Sequence, residues 1–510
     1  MKKNFIILII ILIGTGLFSR LEPLFDEQRM LKTVSEDGYL MMTIARNMAL
    51  GLSMSTAEGT IPTNGTQPLT TFLWAGVYWL ENGDKVGSIF WITILEFLIA
   101  TLAAFLLWRF GLSLLKERPN HNYISSLAAA TWYASPFISN HTMNGLETGF
   151  YGLMAILAVM IVIGRTKPWT FSYSILLGAF LGLVFWTRND ASFLILAICL
   201  LHLFMGENKF WQRFWQVNIM GITSILVATP WLIYNKLNFG SIMPISGQAQ
   251  ALTAELGQNL SALPPILVEY FFVFLPIPNS LQKLSPVILL CVAILIGIFF
   301  ILLRLWPCLR LQERRLFMLT AVYITGFSLF YGLYFGAAHF LSRYFFPLSP
   351  FLALLWAGIV VWAWQYIPWQ KLKYLAAILF IAIILGLFMR NHLHRNSHQH
   401  FQVKEWVEQN IPAETWIAAV QTGTLGYFHD RTINLDGKVN PEALEARKQR
   451  QVFQYILDRK IEYLVDWVGL AEWVEKPHGK ESVVLKNYFE LLVKDSKQNL
   501  AVLRRKNSEL

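Results

Sequence analysis

The sequence is poor in charge: Asp, Glu, Lys and Arg make up 15% of its 510 residues, against roughly 25% in a soluble domain. Its hydrophobic fraction is 55% and its mean hydropathy +0.45. No single buried core absorbs such an excess, so a soluble globular fold is excluded and lipid must solvate most of the chain. Cysteine is scarce as well. Cys199, Cys291 and Cys308 lie in or beside apolar runs, at spacings that fit neither a metal site nor a disulfide framework. No small-residue cleavage site follows the first apolar run (5–18), which Lys2 and Lys3 precede, so it reads as an uncleaved first span. The sequence also shows no internal repeats. The net charge of +10 would suit nucleic acid only if the basic residues shared a soluble face. They lie mostly in short loops between apolar runs, so no nucleic-acid partner is expected.

Apolar runs long enough to cross ~30 Å of hydrocarbon begin near Phe5, Val86, Tyr123, Glu147, Thr170, Ala191, Phe214, Leu284, Leu316, Phe345 and Lys373. With a cytoplasmic N-terminus, alternate loops should be basic. Those loops hold Arg109, Lys116 and Arg118; Arg165 and Lys167; Lys209 and Arg213; Arg304, Arg310, Arg314 and Arg315; Lys371 and Lys373. The opposite loops hold chiefly Arg188, Lys236 and Arg343. The expectation is a polytopic α-helical protein of about eleven spans, multi-pass in the inner or plasma membrane, with its tail outside. Pro68–Leu80 and 263–275 are too short to span, at ~20 Å as helices. Trp74, Tyr78, Trp79 and Tyr270 suit both stretches to the outer interface.

The first outer loop, roughly 20–85, is long and acidic. Leu40, Ile44 and Met48 fall at helical spacing, which predicts an amphipathic helix over 37–50 resting on the membrane. Glu36 and Asp37 stand at its start beside Ser35. Helix capping accounts for them; so does a pair of site carboxylates. Beyond Asn391 the composition turns mixed and charged. Short strands at 416–420, 432–435, 461–467 and 500–503, with helices at 401–410, 441–446 and 450–460, predict a small α/β domain. The expected division is a membrane domain over 1–390 and an outer soluble domain over 391–510. The latter has no Gly-rich phosphate loop or catalytic constellation, and reads as acceptor-facing or scaffolding.

Several segments, in order, resemble the GT-C glycosyltransferases. They are Glu36-Asp37-Gly38-Tyr39, Ala45-Arg46-Asn47 with Gly51, and the run from Pro62 through Gln67 to Leu69. Asn144-Gly145-Leu146-Glu147-Thr148, Arg188-Asn189-Asp190, and Arg343-Tyr344 with Pro347 and Pro350 follow. Gly423-Thr424-Leu425-Gly426-Tyr427-Phe428 and Asn434-Leu435-Asp436-Gly437 complete the set. The sequence departs from the family at Asn189, where proline is usual, and at Glu36, where Asp is commoner. The resemblance implies a mannosyl- or arabinosyltransferase-like enzyme of the cell envelope, with juxtamembrane helices in its first outer loop. Such an enzyme moves a sugar, with inversion, from a polyprenyl-phosphate donor to a glycan, lipid or protein acceptor outside the cytoplasm. It further implies Asp37 as the base or metal-facing ligand, Glu36 as its partner, and Glu147 as a second acid. A divalent metal is left open.

The remaining candidates follow from position. Arg343 and His339 stand four apart, at the depth of a lipid phosphate, which Arg binds bidentately; headgroup snorkelling is the alternative. Arg188 and Asp190 occupy a tight outer hairpin, where charges so near hydrocarbon should pair. Gln67 joins the substrate-binding set through the loop motif. His392, His394, His398 and His400 form a cluster that suits either a solvated connector or a metal site. Glu96, inside the second span without an evident partner, sustains the rival reading of a transporter or lipid-linked-glycan flippase with Arg188 and Asp190 on its path. Internal repeats would favour that rival.

Overall fold

The computed structural model describes residues 2–336, 341–367, 369–393, 400–476, 481 and 483–506. Each of the eleven apolar runs coincides with a helix, from Lys2–Leu21 and Lys85–Leu114 to Ser349–Tyr366 and Gln370–Leu393. Among the described residues, seven helical stretches are long and apolar enough to cross a membrane by length and composition, and four shorter apolar helices accompany them. Their burial separates two roles. Ser285–Leu305 buries only Cys291, and Gln370–Leu393 only Ile384 among its described side chains, while Leu289, Phe300, Ile378 and Leu379 stay exposed, as suits a lipid-facing helix. Thr148–Ile163 is instead buried along nearly all its length, and Tyr151 bonds the Tyr323 hydroxyl at 2.6 Å across the bundle interior. It is the central helix, and Glu147 precedes it.

The first outer loop folds into Glu27–Thr33, Glu36–Ala49, a short hairpin of β1 (Ser55–Thr56) with β2 (Ile61–Pro62), and the helix Pro68–Leu80. Ser35 caps Glu36–Ala49 by accepting from the Gly38 N–H at 3.1 Å. Most of that helix is buried within the protein. It is buried against Pro68–Leu80 on one side, while Tyr39 meets Phe401, Tyr427 and Phe428 of the tail on another. Its apolar positions spread beyond one stripe, because Tyr39 and Ile44 both need cover and both are fully buried.

The tail holds a five-stranded mixed sheet in the order β4-β3-β5-β7-β6. Here β3 is Ile417–Ala419, β4 Thr432–Asn434, β5 Tyr463–Asp466, β6 Phe489–Asp495 and β7 Leu500–Arg505. Strand β3 pairs in parallel with β4, at one edge, and with β5, and the β6–β7 hairpin closes the other side antiparallel. Strand β6 was not expected from the sequence. It is an edge strand whose Glu490 and Lys494 face solvent and interrupt its apolar run.

Candidate active site

The site begins with a loop. Gly145 adopts φ +80°, a conformation that favours glycine, just before the central helix. Its N–H donates to Glu96 at 2.8 Å, and its carbonyl accepts from the Trp74 indole at 3.1 Å. The neighbouring Asn144 carbonyl accepts from both the backbone N–H and the hydroxyl of Ser35 at 3.0 Å. A Cβ on Gly38 would lie 2.3 Å from that same carbonyl. The start of the Asp37 helix and the loop leading to Glu147 are thereby clamped together. Glu96, which had no evident partner in the sequence, holds this loop.

Arg343 lies in the short helix Leu341–Phe345 and bridges the two acids. Its Nη1 donates to Asp37 at 2.9 Å, and its Nη2 reaches both oxygens of Glu147 at 2.9 and 3.1 Å. The side chains are graded in exposure: Glu147 1%, Arg343 21% and Asp37 33%. Asp37 is therefore the member that faces open space. Beside them Arg188 and Asp190 form a two-pronged ion pair, and Arg188 also donates to the Arg343 carbonyl at 3.2 Å. Tyr331 donates to Asp190 at 2.7 Å and stacks on Tyr344 with ring centres 4.0 Å apart. The pairing expected for these two charges is what they adopt.

Asp37, Gln67, Glu147, Arg188, Asp190 and Arg343 all line one cavity of about 370 Å³. Three buried polar atoms on its lining residues, Gln67 Oε1, Asn189 Oδ1 and Arg343 Nε, have no hydrogen-bond partner among the described residues. Buried polar groups are seldom left so, and a polar ligand or water would satisfy them.

Two expectations need correction or qualification. Glu36 does not share the site with Asp37. Its carboxylate accepts from the Gly423 and Thr424 N–H groups at 2.5 and 3.0 Å and from the Thr424 hydroxyl at 2.7 Å, all in the tail. Consecutive residues on a helix point about 100° apart, so one carboxylate enters the cavity and the other leaves it. His339 lies outside the described residues, as do His394 and His398. His400 stacks on Trp467 at 4.5 Å.

The donor set does not fit a divalent cation in this arrangement. A guanidinium occupies the space between Asp37 and Glu147, and no cluster of three or more His, Cys, Asp or Glu is found among the described residues. Sequence reasoning missed Lys438, which reaches the cavity wall from the tail, and Tyr331, the ring that stacks on Tyr344. Lys438 follows the noted Asn434-Leu435-Asp436-Gly437 segment directly, but nothing local marks it.

A family described as a domain of unknown function (DUF8728) matches residues 389–502. No curated protein matches the chain. Among solved structures, ArnT from Cupriavidus metallidurans bound to undecaprenyl phosphate is similar at 11% identity and a TM-score of 0.62, covering 100% of this chain and 99% of that one. The oligosaccharyltransferase of Archaeoglobus fulgidus in its apo form is similar at 11% identity and a TM-score of 0.53, covering 99% of this chain and 74% of that one. AglB from the same organism, with an inhibitory peptide and a dolichol-phosphate, gives 10% identity and a TM-score of 0.51, covering 100% and 74%. At these identities the likeness is one of fold: the chain shares the fold of ArnT and of the archaeal oligosaccharyltransferase.

Proposed function

We propose that this protein is an inverting GT-C glycosyltransferase, moving a sugar from a polyprenyl-phosphate donor to an acceptor at the outer membrane face. The observation that carries this reading is the Asp37–Arg343–Glu147 bridge at the wall of one cavity on a GT-C fold. Asp37, the most exposed of the three, takes the proton of the acceptor hydroxyl as its oxygen bonds the anomeric carbon. The bond from that carbon to the phosphate oxygen breaks, and the polyprenyl phosphate leaves with both electrons. Arg343 serves the departing phosphate, and Glu147 holds Arg343 in place. Arg188 and Asp190 brace the wall behind it. The neighbours point the same way, since one is bound to undecaprenyl phosphate and another to a dolichol-phosphate.

The reading includes the eleven-span topology, with the N-terminus inside and the cavity and tail outside. It takes 1–390 as the membrane unit and 391–510 as the outer unit. No observation favours a transporter: Glu96, the residue that suggested one, bonds the backbone of the site loop. The test is incubation of the purified protein in detergent with radiolabelled polyprenyl-phosphate sugars and candidate glycan, lipid and protein acceptors. Label transferred to an acceptor, and lost in Asp37→Asn, supports the reading. Movement of intact lipid-linked glycan across a vesicle bilayer without transfer would overturn it.

A further inference from the structure

The tail does more than pack against the outside of the membrane helices. Its segment 434–440 is a tightly built loop. The Gly437 N–H bonds the Asn434 side chain at 3.0 Å, the Lys438 N–H bonds the Asp436 side chain at 2.8 Å, and the Asn440 amide bonds the Asn434 carbonyl at 2.8 Å. Gly437 adopts φ +76°, and a Cβ there would lie 2.7 Å from the Leu444 Cα. Val439 is buried with Ile44, Met54 and Trp231, which belong to the first outer loop and the helix Phe210–Phe239. Gly65 lies so close that a Cβ on it would come 2.0 Å from the Lys438 carbonyl. This rigid insertion carries the Lys438 side chain to the cavity wall.

Lys438 is the third cation among that cavity's lining residues. Arg188 directs its donors to Asp190 and the Arg343 and Tyr344 carbonyls, and Arg343 divides its two terminal nitrogens between Asp37 and Glu147. Lys438 lies 3.5 Å from Asp436. An ammonium carries three donors and turns about its stem, so it can serve Asp436 and a phosphate oxygen together. Burial pulls Lys438 down, but Asp37 and Asp436 outweigh it and hold the ammonium above its ordinary value, so it stays charged. Lining charges of Asp37, Glu147 and Asp190 against Arg188, Arg343 and Lys438 cancel. Lys438 is the lining cation that the tail supplies, with Asp436, outside the lining, 3.5 Å behind it.

We infer that Lys438 is a phosphate-binding residue of the donor site, so that the tail completes the site that the membrane helices begin. This rests on the transferase reading above and adds to it that the outer unit contributes directly to donor recognition. The test uses the full chain in detergent, titrated with undecaprenyl phosphate, which probes the phosphate without a choice of sugar. Lys438→Gln should weaken binding about tenfold to a hundredfold, the loss of one charge-assisted hydrogen bond. Lys438→Arg should recover most of it. Gly65→Ala, which removes no charge but displaces the Lys438 backbone, should weaken binding similarly. Affinity in Lys438→Gln equal to wild type overturns the inference. So does equal loss in the Gln and Arg variants together with lowered thermal stability, which marks a structural role. Wild-type protein that binds no undecaprenyl phosphate overturns the transferase reading itself, and this inference with it.

Discussion

Glu36 and Asp37 are neighbours in sequence, yet their carboxylates serve different parts of the molecule. Glu36 fastens the tail at Gly423 and Thr424, and Asp37 meets Arg343 in the cavity. Their variants should therefore fail differently. Asp37→Asn should lower transfer by ~10²–10⁴-fold, the usual worth of a general base, with thermal unfolding unchanged. Glu36→Gln should keep the cavity's chemistry but weaken the tail's attachment by ~1.5–3 kcal/mol, as hydrogen bonds to a charged group would. Turnover assays beside thermal melts separate the two. Normal turnover in Asp37→Asn would remove it as the base.

Arg343 neutralises Glu147, which is only 1% exposed. Arg343→Ala leaves that carboxylate buried and unpaired, which should destabilise by ~3–5 kcal/mol. Adding Glu147→Gln to Arg343→Ala should recover most of the loss, because the orphan charge disappears. Additive destabilisation in the double variant would show that the two residues are not coupled. Arg343→Lys has one point charge for two partners, and its donor affinity should fall, where a merely snorkelling arginine would tolerate the change.

The fold was legible where the physics is local. Apolar length located the helices, and the expected strands at 416–420, 432–435, 461–467 and 500–503 contain β3, β4, β5 and most of β7. The site was legible where its residues cluster at helix ends: Asp37, Gln67, Glu147, Arg188, Asp190 and Arg343 line one cavity. What the sequence hid depends on long-range docking. Lys438 comes to Gly65 only because the tail folds back onto the first outer loop, and no periodicity encodes that approach. Glu36 and Asp37 looked paired because they are adjacent, although adjacent helical residues do not face each other. Glu96 lacked a partner in sequence because its partner is a backbone N–H.

Tail docking is tight enough to be tested with one methyl group. A Cβ on Gly423 would lie 1.8 Å from the Glu36 carbonyl oxygen, a backbone atom that cannot turn aside. Gly423→Ala should therefore loosen the tail from the helix Glu36–Ala49 and raise its susceptibility to limited proteolysis. Gly469→Ala, where nothing lies within 4 Å of the added carbon, is the matched control. Equal proteolysis of the two variants would refute tight docking at Gly423.

The tail's own stability should carry a pH signature from Asp466. This side chain is buried and accepts the Val420, Gln421 and Trp467 N–H groups at 2.7, 3.1 and 2.7 Å. Burial pushes its carboxyl up to about 6, with the Glu36 charge adding to the rise and the three backbone donors opposing it. The folded value lies above the unfolded one, so the folded state binds the proton more tightly. The resulting stabilisation is full below the ordinary aspartate value of ~4 and is lost as pH rises through about 6. Burial also holds His400 down to about 4 and His429 below its ordinary value. These histidines act oppositely, giving stability that is lost as pH falls, so the wild-type curve alone mixes both signs. The readout is the difference between wild type and Asp466→Asn in tail unfolding from pH 4 to pH 7. Asp466→Asn should be less stable throughout, because its amide nitrogen presents hydrogens to backbone N–H groups where either carboxyl oxygen, protonated or ionised, still offers a lone pair. Its deficit should be largest near pH 4 and shrink as pH rises through 6. A deficit that stays constant across the window would show that Asp466 is ionised throughout and contributes only its hydrogen bonds.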